Sequence, residues 1–324
     1  MRGPGDVAVI IPYLLGFQPA ESLVLIALEG PRKRFGPLMR FDLEDATGPQ
    51  APALRQAVGV MVDGDVELVL VAAFSVLAER ADPVVTAVLD DLAAKGIGVE
   101  EAFRADGSRW WSYLCHNPRC CTPAGTPYVA GTARVAAEAV MAGLAFAPDR
   151  DALRSQLAPD SPAIRSGVAR AVARLDDGGL IRRWTEPGAI EAAVRSGLVR
   201  PGDLSADEVA ALAVAVQVPE LAVRAMLLLE RETAAAHFEL WCVVTRRVDD
   251  KLLPLVGCVA GLAAWVNGHG VLASHAVDRV LAVAPDHRLA LIVAQLLNRA
   301  VNPRAWADIV ATMRTEGGFP PSVA

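Results

Sequence analysis

Lysine is nearly missing from this chain: Lys33, Lys95 and Lys251 are the only three, and every other basic residue is arginine. Aromatic residues fill 5% of the 324 positions, and there are five cysteines. Acidic residues outnumber basic ones, 37 to 31, for a net charge of −6, so the composition builds no face for nucleic acid. The one tight basic run, Arg32-Lys33-Arg34, sits among Gly30, Pro31 and Gly36 and reads as a solvated loop. An odd cysteine count with no even framework fits a reducing compartment better than a secreted disulfide scaffold. The phosphate loops GxGxxG and GxxxxGK[ST], the zinc-protease HExxH, the hydrolase elbow GxSxG and the EF-hand loop are absent, so no cofactor is called for.

Membrane insertion is not expected either. Leu252 to Val277 is long and uncharged enough to span a bilayer, but Pro254 stands near its start and Asn267-Gly268-His269-Gly270 marks a turn in its middle. Two buried soluble helices explain it better. Asp6 and Pro12 bracket a short apolar run that lacks the layout of a signal peptide, so a cytoplasmic protein is expected.

What is present suits two domains, because 324 residues exceed one ordinary core, and 53% hydrophobic against 21% charged residues is a globular balance. Residues 1–127 alternate strand and helix patterns. Val9 to Phe17 fits strand or helix, and Pro12 in a first turn with Gly16 just past the end favours a short helix. Ser22 to Leu28 is apolar enough for a strand buried on both faces. Leu38 to Leu43, Val66 to Phe74 and Ile97 to Phe103 read as further strands. Helices fall at Pro52 to Val62 and Asp82 to Lys95, the second with Asp82 as cap and Pro83 in the first turn. This order predicts an α/β domain with a mostly parallel or mixed sheet. Asp106-Gly107 then signals a tight turn returning Arg109 to Leu114 antiparallel, with Trp111 and Tyr113 on one face and Trp110, Ser112 and Leu114 on the other.

The segment Asp106 to Pro127 holds three of the five cysteines. Cys115, His116, Cys120 and Cys121 are of the types that bind zinc, but a second ligand pair is missing and adjacent Cys120 and Cys121 do not readily turn both sulfurs to one ion, so no metal is expected. Arg109 and Arg119 could instead activate a thiol, with His116 as base. The preferred reading is that the cysteines fill gaps beneath a proline-rich loop. Arg109, Trp110, Trp111, Tyr113, Cys115, His116, Cys120 and Cys121 are the candidate ligand-binding residues; no catalytic residue is assigned.

Three blocks here carry a resemblance: PYLLGFQPAESLVLI at Pro12 to Ile26, RFDL at Arg40 to Leu43, and RWWSYLCHNPRCCTPAGTP at Arg109 to Pro127. In order and spacing they resemble an actinobacterial family catalogued as a domain of unknown function. The resemblance implies a cytoplasmic protein and transfers no activity.

Residues 128–324 read as all-α. Helices are expected at Thr132 to Leu144, Asp149 to Leu157, Pro162 to Leu175, Pro219 to Arg231 and Thr233 to Val248, and a capping box at Ser205 to Glu208 opens another. Gly178-Gly179 and Pro201-Gly202 are turn signals. Residues 256–299 place Gly261, Ala273 and Pro285 where a tetratricopeptide hairpin has its small residues and closing proline. The leading functional reading is a regulatory module that binds a small molecule or a protein partner. The alternative is an enzyme using Arg109 with Cys115 or Cys120 as nucleophile, and metal binding is a weaker one. High apolar content leaves homo-oligomerisation open.

Overall fold

The run from Ser22 to Leu28 is buried on both faces and becomes β1 (Ser22–Glu29), second in a six-stranded sheet. The computed structural model describes residues 3–44, 46, 52–64, 66–175, 186 and 188–316. The chain divides into two compact units, Met1–Leu153 and Arg154–Ala324.

In the first unit, β1 turns through Gly30 into β2 (Arg34–Asp42), passes α2 (Pro52–Asp63), and returns as β3 (Leu68–Phe74) on the other edge of β1. Both pairings are antiparallel. Among the described strands only the crossover through α3 (Ala78–Ala94) to β4 (Gly98–Ala105) makes a parallel pair. β5 (Arg109–Ser112) and the short β6 (Thr126–Pro127) complete the order β2-β1-β3-β4-β5-β6. The sheet is thus mixed. A hairpin at each end of the chain order forces antiparallel neighbours, whereas a helical crossover allows a parallel one.

Alternation sorts the strand residues into two layers. Leu23, Leu25, Val69, Val71, Ala73 and Ala102 form one core with Leu54, Val58 and Met61 of α2 and Val84, Val85, Val88 and Leu92 of α3. Val24, Ile26, Ala72, Phe103 and Ala105 are equally buried on the other face, where α1 (Pro4–Leu15) lies against β4 and β5.

Several boundaries differ from the sequence expectation. α1 begins at Pro4, which takes the first-turn position, so Pro12 lies inside the helix; Gly16 closes it with φ +80° as expected. α3 starts a turn before Asp82, which is no cap: its Oδ1 accepts the Tyr113 hydroxyl at 2.6 Å. Arg34 of the basic run belongs to β2, and Lys33 pairs with Glu100 at 2.6 Å. The first unit also extends beyond 127. α4 (Arg134–Met141) packs on α1, Ala147 N donates to Gly16 O and Gln18 N to Ala147 O, and Arg150 Nη1 meets Asp42 Oδ2 at 3.1 Å. Burial pushes the Asp42 pKa up, but Arg40 and Arg150 outweigh it and hold the group ionised, with Arg40 also donating to Ser22 Oγ. The RFDL block is therefore a clamp joining β2, β1 and the 147–150 stretch.

The second unit has no strand among its described residues. Helices span Pro162–Arg174, Ala189–Val199, Ala206–Ala215, Pro219–Met226, Ala234–Arg247, Leu253–Val266, Gly270–Val283, Arg288–Asn298 and Trp306–Glu316. The capping box forms: Ser205 Oγ accepts from Glu208 N, and Glu208 Oε2 accepts from Ser205 N. The helix Ala189–Val199 was not anticipated, Pro201-Gly202 opens a 3-10 turn, and the Gly178-Gly179 signal lies outside the described residues. The apolar run 252–277 is broken at Gly268 (φ +82°) into the expected hairpin. Among the described residues no single helix is long and apolar enough to cross a membrane. Its two arms approach closely because Gly257 and Gly261 lack side chains: a Cβ on Gly261 would stand 3.5 Å from the Ala273 carbonyl, and one on Gly257 only 2.5 Å from Val280 Cγ2.

Two outcomes follow from this packing. Gly257→Ala should destabilise the protein by about 1–3 kcal/mol, as overpacking does, and Val280→Ala in the same chain should recover part of the loss in urea melts. His237, on the helix Ala234–Arg247, is buried, and burial pushes its pKa down to about 4 against a hydrogen bond to the Leu228 backbone. The folded state keeps it neutral while the unfolded chain protonates near 6.5. Its stabilising effect is therefore full above pH 6.5 and lost as pH falls towards 4, by roughly 3 kcal/mol at most. Urea midpoints measured across that window should fall less steeply for His237→Gln; an unchanged slope contradicts this.

Candidate functional site

Parallel strands release their chains at the same edge, and here Phe74 ends β3 beside Ala105, which ends β4. β1 runs the other way, so its entry residue Glu21 arrives at that edge too. Between these ends and α1 lies a cleft of about 340 Å³. α1 contributes Ala8, Val9, Pro12 and Tyr13; the strand ends contribute Glu21, Phe74 to Val76 and Ala105 to Gly107; Gln18, Tyr128 and Phe146 close the sides. Open α/β sheets bind ligands at this edge, outside the carboxyl ends of parallel strands.

The polar groups of the cleft are mostly acceptors. Glu21 adopts φ +43°, a left-handed conformation that costs a non-glycine residue energy. Its Oε1 lies 2.9 Å from Ser75 Oγ, and Arg80 Nη1 reaches its Oε2 at 3.2 Å. Asp106 holds the β4–β5 turn, its Oδ1 accepting from Ser108 N, Ser108 Oγ and Arg109 N at 2.7–2.9 Å. Burial pushes the Asp106 pKa up, but these donors and the Arg104 charge prevail, so it is a carboxylate at neutral pH. Pro12 has no N–H to give the Ala8 carbonyl one turn back, and both residues line the cleft. Burial first, then the Asp106 charge, raise the Tyr128 phenol to about 12, keeping it a neutral donor. The Tyr13 and Phe146 rings meet edge to face with centroids 4.8 Å apart.

None of the eight residues singled out from the sequence lines this cleft. Arg109, Trp111 and Tyr113 instead tether the neighbouring hairpin and loop. Arg109 Nη1 donates to the carbonyls of Ala124 and Gly125. Trp110 lies on the α1 side, where a Cβ on Gly5 would come within 3.3 Å of its Nε1. Trp111 is on the opposite face, stacked under the buried Arg104 guanidinium at 3.9 Å and donating to Pro123 O at 3.0 Å. Gly125, at φ +78°, lies so near the Trp111 ring that a Cβ would sit 2.5 Å away, which only glycine avoids. Tyr113 is held to Asp82, and its pKa is raised by burial and by that carboxylate. His116 is exposed.

The cysteines overturn two expectations. Cys115, Cys120 and Cys121 are exposed or half-buried, not packed beneath the loop, unlike the buried Cys242 and Cys258. Their sulfurs also converge: all three lie within 4.8 Å of one another, Cys115 and Cys120 at 3.3 Å. Adjacent Cys120 and Cys121 can face together because they sit in one helical turn, both N–H groups donating to Asn117 O. Hydrogen bonding from the Asn117 backbone, then from Cys120 and Cys121, lowers the Cys115 pKa. Burial and the neighbouring sulfurs raise that of Cys121 to about 12.

The cleft escaped sequence reading because its lining comes from separate stretches with no shared motif. The available signal was the place where two parallel strands stop, Phe74-Ser75 and Ala105-Asp106. Comparison with curated proteins and with solved structures finds no match. A family model does match across residues 4–304, nearly the whole chain, and the protein belongs to that family, described as a domain of unknown function, DUF4192.

Proposed function

We propose that the first unit is a binding module for a small molecule, seated in the cleft at the carboxyl edge of β3 and β4. The observation that carries this is the cleft's position together with its lining, in which an apolar floor meets convergent polar groups. Among the described residues the lining holds two carboxylates and no lysine, arginine or histidine. Arg80 and Arg104, the nearby cations, are engaged with Glu21 and with Ser75 O. The ligand this favours has a planar or apolar body for Tyr13, Phe146 and Phe74 and carries N–H donors or a positive charge towards Glu21, Asp106 and the Ala8 carbonyl.

The same inventory supports binding over turnover. Among the described residues the lining contains no cysteine or histidine, and Ser75 Oγ is shared between Glu21 and the Leu77 backbone. An enzyme built on Arg109 and Cys115 or Cys120 would need Arg109 to face a substrate anion, whereas its Nη1 holds loop carbonyls.

A fragment set pairing aromatic amines with the matching carboxylates tests the reading by thermal shift and tryptophan fluorescence. The amines should raise the Tm and the carboxylates should not. Gln18→Ala and Tyr128→Phe should each weaken binding by roughly fivefold to tenfold, the worth of one hydrogen bond, with unchanged circular dichroism. Val76→Trp, a bulky change at an exposed cleft residue, should abolish binding. Preference for the carboxylates, or binding indifferent to Val76→Trp, would sink the proposal.

A further inference from the structure

We infer that Cys115, Cys120 and Cys121 form a binding site for one thiophilic divalent cation, zinc being the ordinary choice, with the fourth coordination position open to water or an outside ligand. The site stands apart from the cleft, whose lining shares no residue with it.

Geometry is the first argument. Four-coordinate zinc holds thiolates at about 2.3 Å, which sets neighbouring sulfurs about 3.8 Å apart. The three sulfurs here lie within 4.8 Å of one another, with the tightest pair at 3.3 Å, so changes in their separations of about 1 Å or less seat an ion between them. The donor set is all sulfur, which selects zinc and similar soft ions over magnesium or calcium.

Preorganisation is the second. The loop is fixed mainly by contacts that leave the sulfurs available. Ser112 Oγ accepts from Leu114 N and Cys115 N, Asn117 Oδ1 accepts from Arg119 N, and Asn117 O accepts from Cys120 N and Cys121 N. Arg109 and Trp111 then tie the far end of the loop through Ala124, Gly125 and Pro123. A metal loop held this way loses little conformational entropy on binding.

The chain supplies its own contrast. Cysteines that serve packing are buried, as Cys242 and Cys258 are, the latter with its pKa raised to about 12 by burial. The loop trio is half-buried or exposed, so packing accounts for it less than for Cys242 and Cys258, and three polarisable sulfurs gathered near the surface lower their free energy by sharing a cation. Each coordinating thiol gives its proton to solvent, so affinity should rise with pH. His116 lies outside the sulfur cluster and is not a ligand.

The test uses the full-length protein, reduced and desalted without oxygen, titrated with Co(II). One equivalent should produce thiolate-to-cobalt charge transfer and the intense visible bands of four-coordinate cobalt, which zinc then bleaches. Cys115→Ser and Cys121→Ser should weaken binding beyond the roughly 10- to 100-fold that losing an outer-shell partner costs, whereas His116→Ala should bind as the parent does. Circular dichroism confirms that each variant is folded, which these half-buried or exposed loop positions should allow. The inference is overturned if the reduced protein, with its loop thiols shown free by alkylation, leaves cobalt six-coordinate. It is equally overturned if the serine variants bind unchanged, or if the three cysteines react only by forming a Cys115–Cys120 disulfide on exposure to air and take up no cobalt once reduced.

Discussion

Two parallel strands cannot be joined by a hairpin, so their chains must leave the sheet at one edge and return by a crossover. Among the described residues β3 and β4 are the one pair of strands that runs parallel, and everything at the cleft follows from where they stop. Beyond Phe74 and Ala105 the parallel ladder ends and the backbone turns to local bonds. Ser75 N donates to Ala105 O, Ser75 Oγ takes Leu77 N, and Asp106 gathers the turn amides that follow. These local solutions place hydroxyl and carboxylate groups at the edge. The antiparallel β1 brings Glu21 to the same line, and α1, pressed on the face of β4 and β5, supplies the apolar wall. The cleft is the space left when three chain ends of different direction meet under one helix.

The tryptophan and cysteine segment does a different job from the one its composition suggests. Trp111, with Arg104 above it and Gly125 against its edge, anchors the return of the loop. A cation over an indole face is worth about 0.5–2 kcal/mol, more when desolvated, and here the arginine is also bonded to Ser75 O. That single side chain therefore connects the loop to the floor of the cleft edge. With the loop ends fixed, the residues between them are free to present sulfur outward.

Much of the architecture was legible because it rests on runs of apolar residues. β1 and β3 appear as nearly continuous buried stretches, and the helical second half appears through caps such as Ser205 and Glu208 and through the Gly261–Ala273 approach. The errors arose where one residue type serves two purposes. Asp82-Pro83 has the form of a helix start, yet Asp82 serves Tyr113 and the helix begins earlier. Pro12 suits a first turn, but Pro4 already occupies that place. Spacing along the chain could not reveal that Cys120 and Cys121 share a helical turn with Cys115 folded beside them. Nor could it reveal the cleft, whose residues meet only after the strand order is known.

That two parallel strand ends make a binding edge is the claim on which the functional reading rests. Amide chemical-shift mapping with a bound aromatic amine examines it most directly. The account predicts that the largest shifts gather at Gln18, Ser75, Val76, Asp106 and Gly107. Shifts gathered instead on residues 115–121, or on the helices after Arg154, would contradict it.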